Sequence, residues 1–285
     1  MLPTSFEYQK AGSIDEAIAL LSNNGGDAKI LAGGHSLIPA MKLRLDQPAK
    51  LIDIGGIAAL KYIRKEGNEL VIGAATTHHE IAASPLATKI PMFPQAAEMI
   101  GDIQVRNRGT IGGSLAHADP AADWPAVVLA ADSQIVAQGP KGQRTIAASD
   151  FFTGFFETAL EEDEIITEIR VAVPVGKANS AYRKFEQPAS RFAIVGCAAA
   201  LALDGSRVMR ATIAFTGLSD KAFRDKAVED ALAGKELTNA TITTAAKLAA
   251  EGVFIQSDHF ASDTYRKHLA NVFARKALLA AANFA

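Results

Sequence analysis

The chain has 285 residues, 49% hydrophobic and 21% charged, enough for one large or two medium folded domains. Its 29 basic and 31 acidic residues give a formal charge of −2, so no strongly basic field exists to recruit nucleic acid. The single cysteine, Cys197, excludes an internal disulfide, and one thiol cannot build a four-cysteine metal site or an iron–sulfur cluster within this chain.

The first residues, MLPTSFEYQK, lack the basic start and apolar core of a signal peptide. No apolar run reaches the roughly 18 residues that a membrane span needs. Together with the low cysteine count this reads as a cytoplasmic protein. Ser13-Ile14-Asp15-Glu16 is a capping-box helix start, with Ile14, Ala17, Ile18 and Leu21 on one face and Gly25-Gly26 as the stop. Strands are expected at Ala28–Ala32, Leu51–Ile54 and Leu70–Ala74, so the N-terminal region reads as small α/β units. A helix over Phe93–Ile100 closes at Gly101, and a long irregular Gly-rich segment follows, Asp102–Pro120. Asp123-Trp124-Pro125 starts a further helix to Ala131, with Asp123 as cap and Pro125 in the first turn. Ser133–Gln138 and Gln143–Ala147 form a hairpin, and Glu164–Val173 is a long strand ended by Pro174. The small polar stretch Val175–Ser180 marks a boundary. Strands at Ala181–Glu186, Ala193–Leu203 and Arg207–Phe215 follow, the last two joined by Asp204-Gly205. Helices near Lys221–Ala233, Asn239–Ala250 and Asp263–Ala282 then cover that sheet on one face.

Two glycine-containing stretches carry chemistry. In Ile30-Leu31-Ala32-Gly33-Gly34-His35-Ser36 a strand delivers two glycines and then a hydroxyl. Lacking a Cβ, glycine lets backbone N–H groups turn toward a phosphate and lets the phosphate approach closely. A plain strand-to-helix turn has the same signature. In the second stretch, Gly112-Gly113 is flanked by Thr110 and Ser114 and runs through His117 to Asp123. Two such cradles suit a pyrophosphate. Asp123 can accept from ribose hydroxyls, cap a helix, or do both. Neither the dinucleotide fingerprint G-x-G-x-x-G nor the P-loop occurs.

Ala32-Gly33-Gly34-His35-Ser36-Leu37-Ile38-Pro39, with Thr110-Ile111-Gly112-Gly113-Ser114 and His117-Ala118-Asp119-Pro120-Ala121-Ala122-Asp123, resembles the flavoprotein (medium) subunit of carbon monoxide dehydrogenase and related molybdenum hydroxylases. The resemblance spans the whole chain. It implies an α+β protein with a vanillyl-alcohol-oxidase-like FAD-binding fold: an FAD-binding domain over 1–175, in subdomains of about 1–56 and 57–175, and a C-terminal domain over 176–285. It implies non-covalent FAD, with Ala32, Gly33, Gly34, His35 and Ser36 on the pyrophosphate and Thr110, Gly113 and Ser114 in a second phosphate loop. An Asn often stands where Ser114 does here. Asp123 matches the family residue on the adenosine part. Ile100 and Ile166 match apolar residues packed near the cofactor, and Lys184 a lysine near the flavin. By eye alone, Ile100 and Ile166 also suit a plain core role and Lys184 a solvated one.

The resemblance further implies a large molybdenum-binding partner and a small iron–sulfur partner with two [2Fe-2S] clusters, arranged as a dimer of heterotrimers. FAD then collects electrons for an external acceptor. A self-contained flavin oxidase or reductase of the same broad fold is the second reading, and a non-catalytic nucleotide-binding or assembly module the third. Substrate and acceptor are not legible. His78-His79-Glu80 is read as no metal site, because adjacent side chains point apart. Cys197 is read as a core thiol, His35 and His117 as loop contacts, and Arg106 and Arg108 as either pyrophosphate partners or a solvated edge.

Overall fold

A computed structural model describes residues 2–176 and 178–283. The first unit holds β1 (Glu7–Lys10), α1 (Ile14–Asn24), β2 (Ala28–Leu31), α2 (Leu37–Lys42) and β3 (Lys50–Asp53). Its three strands run parallel in the order β1-β3-β2. The Ser13 hydroxyl accepts from Glu16 N–H at 3.1 Å, as expected, but the Glu16 carboxylate reaches back to Gly12 N–H at 2.8 Å rather than to Ser13. Ala17, Ile18 and Leu21 are buried against the sheet, while Ile14 packs at its margin. Strand β1 has no counterpart in the sequence reading. It is short and mostly exposed, and only its pairing with β3 defines it.

The second unit is an antiparallel sheet, β4-β5-β10-β6-β7, of β4 (Ile63–Glu66), β5 (Glu69–Gly73), β6 (Gln134–Gly139), β7 (Gly142–Ala147) and β10 (Ile165–Ala172). Strands β6 and β7 form the expected hairpin. Between β5 and β6 lie α3 (His78–Ala82), α4 (Met92–Met99), α5 (Ile103–Arg106), α6 (Ile111–His117) and α7 (Asp123–Ala130). Between β7 and β10 lie α8 (Ala148–Phe151), β8 (Phe152–Gly154) and β9 (Glu157–Thr158). Ile72, Phe93, Trp124, Ile135 and Ile169 belong to the core between sheet and helices. The segment expected to be irregular, Asp102–Pro120, is thus partly helical. Asp102 caps α5 and Thr110 caps α6 through their side chains. Asp123 is not a cap: Ala122 holds that position, and Asp123 sits inside the first turn of α7.

The third unit follows the expected boundary stretch, of which Lys177 lies outside the described residues. It is an antiparallel sheet of β11 (Asn179–Glu186), β12 (Ala193–Asp204), β13 (Arg207–Thr216) and β14 (Phe223–Arg224), with α9 (Lys226–Leu232), α10 (Asn239–Ala246) and α11 (Asp263–Ala281). Helix α9 starts later than expected because Phe223 and Arg224 pair with β13, after which Asp225 caps the helix. The sheet is covered on both faces, not one. Cys197, Ile213 and Phe215 join the core under α9–α11, whereas Tyr182, Ala198 and Ala214 join the core of the second unit beneath α4 and α7. Successive residues of a strand face opposite ways, so an unbroken apolar run such as β12 is what burial on both faces demands. Among the described residues no helix is long and apolar enough to cross a membrane.

Candidate functional site

A cavity of about 580 Å³ runs where the three units meet. Its walls include Ala32, Gly33, Gly34, His35 and Ser36 from the turn between β2 and α2, and Thr110, Gly113 and Ser114 from the start of α6. Ile100 stands just after α4, Ile166 in β10, and Ser190–Phe192 before β12. Asp123 lines it too. Eleven of the twelve candidate residues therefore meet at one cavity. Lys184 is not among the described lining residues; it lies behind the wall.

Backbone contact brings the two glycine stretches together. A Cβ on Gly33 would collide with the Arg108 carbonyl oxygen and come within 2.8 Å of Gly109 Cα. Gly34 has φ +76°, in the left-handed region that glycine adopts without penalty. The N–H groups of Gly33, Gly34, His35 and Ser36 find no acceptor among the described residues. These residues are half-buried or, for His35, exposed, and a run of successive unpartnered amides in a glycine turn on a cavity wall is an arrangement that fits an anion.

The second stretch differs from its expectation as a twin cradle. Ile111 N–H donates to Thr76 O at 3.1 Å, Gly112 N–H to Ala74 O at 2.9 Å and Gly113 N–H to Thr110 Oγ1 at 3.1 Å. These amides are engaged by the protein. Gly112 is needed for packing, because a Cβ would lie 2.5 Å from that of Ala74. Beside Thr110 and His117, this stretch lines the cavity with Ser114 and the exposed Gly113.

Asp123 and Lys184 form a buried pair. Lys184 Nζ lies 2.9 Å from Asp123 Oδ1 and 3.1 Å from Oδ2, and Tyr182 OH donates to Oδ1 at 2.5 Å. Burial pushes the Asp123 carboxyl up, against the pull of Lys184 and Tyr182, and pushes the Tyr182 phenol well up. Lys184 is therefore no solvated lysine: its side chain is wholly buried. Arg106 donates to the carbonyls of Ile100 and Gly101 at 3.1 and 2.8 Å, so it holds the wall rather than a solvated edge.

Sequence reasoning declined His78 as a metal ligand and missed its position. It lines the cavity, and its Nδ1 accepts from Trp124 Nε1 at 3.0 Å. Burial, helped by the charges of His35 and Arg106, drives the imidazole down to about 3, so it stays neutral. A Cβ on Gly109 would lie 2.7 Å from its Nε2, which packs the ring against the second glycine stretch. His117 also lines the cavity, its ring edge-on to Phe156 at 5.0 Å, and burial lowers its pKa. Ser190–Phe192 was missed as well; Gln187-Pro188-Ala189-Ser190 is a turn-rich cluster that marks a loop but not its neighbour.

A profile for the FAD binding domain in molybdopterin dehydrogenase matches residues 4–174, and one for the CO dehydrogenase flavoprotein C-terminal domain matches 180–281. The carbon monoxide dehydrogenase medium chain of Hydrogenophaga pseudoflava is 41% identical, over 99% of this chain and 98% of the relative. The glyceraldehyde dehydrogenase medium chain of Sulfolobus acidocaldarius is 36% identical, over 97% and 98%. A chain in the solved structure of the Hydrogenophaga pseudoflava carbon monoxide dehydrogenase lacking the Mo-pyranopterin moiety superposes with a TM-score of 0.96, at 42% identity, covering 99% of each chain.

Proposed function

The chain belongs to the family of FAD-binding flavoproteins of molybdopterin dehydrogenases, and from that membership we propose that it is the electron-transfer subunit of a molybdenum hydroxylase. It receives electrons from iron–sulfur clusters of a small partner and passes them to an external acceptor, while a large partner oxidises the substrate at molybdenum. The observation that carries this reading is the cavity itself. It joins an anion-competent row of free amides to apolar walls at Ile100 and Ile166.

Bound FAD supplies redox chemistry that accepts electrons singly or in pairs. The residues of this chain bind and orient it. Gly33 to Ser36 receive the pyrophosphate through their N–H groups, and Ser114 adds a hydroxyl from the facing side. Asp123 has acceptor capacity left beyond Tyr182 and Lys184, since a carboxylate offers about four lone-pair sites. That remainder suits a ribose hydroxyl. Ile100 and Ile166 exclude water from the apolar ring systems. No covalent attachment to His35 or His117 is proposed.

The test is reconstitution. Acid precipitation of the purified chain should release all of its flavin, as FAD. The FAD-loaded chain alone should oxidise neither carbon monoxide, aldehydes nor N-heterocycles. Addition of the molybdenum and iron–sulfur subunits should restore turnover, with the flavin bleached by substrate. Oxidation by the single chain would replace this reading with a self-contained flavin enzyme, and a colourless protein with no affinity for FAD would leave an assembly module.

A further inference from the structure

Lys184 is the one candidate residue that the cavity does not reach, and its ammonium is fully engaged elsewhere. Besides the Asp123 carboxylate, it donates to Met99 O at 2.8 Å and to Arg191 O at 2.7 Å. An ammonium has three donors, and all three have acceptors. The partners belong to three different stretches of cavity wall. Asp123 opens α7, Met99 precedes the lining pair Ile100-Gly101, and Arg191 lies beside lining residues Ser190 and Phe192. Arg191 holds φ +60°, a left-handed conformation that a residue with a Cβ takes only when its surroundings hold it there. Its guanidinium also donates to Gly101 O at 3.3 Å, so the same two segments are joined twice.

We propose that Lys184 is a positioning residue that makes the C-terminal unit part of the cofactor cavity, tethering the Ser190–Phe192 segment and the Ile100–Gly101 turn to Asp123. The inference rests on the reading of the cavity as an FAD site. Lys184 influences the cofactor through the wall and not by a charge contact with the flavin. A buried ammonium cannot be left unpaired without large cost, so the three segments hold their places together or not at all.

The test begins with apoprotein. Lys184→Met strands the Asp123 carboxylate, and that variant can fail to fold. The double variant Lys184→Met with Asp123→Asn removes both charges and keeps an acceptor for Tyr182. Folded double variant should be cut by trypsin after Arg191 about tenfold faster than wild type, as loss of a charge-assisted tether raises the open population. At saturating FAD, which offsets any ribose contact weakened by Asp123→Asn, the visible circular dichroism of the bound flavin should change. Wild-type cleavage and wild-type dichroism would overturn the tether. A flavin midpoint potential moved to more negative values, with cleavage after Arg191 unchanged, would overturn it in favour of a direct charge contact. A wild-type protein that binds no FAD would overturn the cofactor reading instead, and cleavage of the apoprotein would then still decide the tether.

Discussion

Asp123 shows how far a single side chain departs from what its sequence context suggests. As a helix cap or a ribose acceptor, its loss would remove one or two hydrogen bonds, on the order of 1–3 kcal/mol. In the fold it neutralises a wholly buried lysine. Asp123→Ala should therefore cost about 3–5 kcal/mol, the range for breaking a buried pair by removing one partner. Urea unfolding of the apoprotein checks this, and a loss under 1.5 kcal/mol would mean that Lys184 finds water or another partner. His78 gives a second prediction at this scale, in which the sign follows from protons. The unfolded imidazole titrates near 6.5 and the folded one near 3, so between these values the unfolded chain binds more protons. Stability should fall as pH drops from about 6.5 toward about 3. His78→Gln keeps an acceptor for Trp124 Nε1 and cannot titrate. The urea midpoint of the variant should decline less than that of the wild type across this window; parallel curves would count against His78.

The elements that were legible are those whose pattern has one cause. Strand β12 carries an almost continuous apolar run, β10 and β13 are rich in apolar and β-branched residues, and the β6–β7 hairpin has its turn residues. Helix α6 was not legible, because Gly112-Gly113 opposes helix by propensity. Tertiary contacts override this: Ile111 and Leu115 are fully buried, Thr110 caps, and Gly112 permits close approach to Ala74. Strand β1 was missed for the opposite reason, since nothing in its exposed side chains marks it. The residues that line the cavity could be found through family motifs, yet the motifs do not say which backbone amides are free. That distinction predicts unequal effects of two similar changes. Gly34→Val forces a β-branched residue into φ +76° beside the free amides and should lower FAD affinity by a hundredfold or more, on the order of 3 kcal/mol. Gly113→Ala enters a helix whose amides are already engaged, and its Cβ meets Thr110 Oγ1 at 2.8 Å. It should disturb the cap, at about 1 kcal/mol, with a correspondingly smaller loss of FAD. Equal losses in flavin titrations of the two variants would return Gly113 to the role of a phosphate cradle.

At the scale of the molecule, the cavity and the sheets are parts of one construction. Helices α4 and α7 pack on β11, β12 and β13, so the core of the second unit contains Tyr182, Ala198 and Ala214 from the third. The same helices end or begin at the cavity, at Ile100 and Asp123, and the third unit closes it with Ser190–Phe192. Unfolding either unit alone would expose a shared apolar face and strand the Asp123–Lys184 pair. Calorimetry of the apoprotein should therefore show a single transition that includes residues 178–283. Because FAD binds only the folded state, a hundredfold excess over its dissociation constant adds about 2.7 kcal/mol. For a chain of this length that raises the midpoint by a few degrees, and the single transition should move as a whole. Two transitions, of which FAD raises only the first, would show that the C-terminal unit merely leans on the cofactor site. They would also leave Lys184 with nothing to tether.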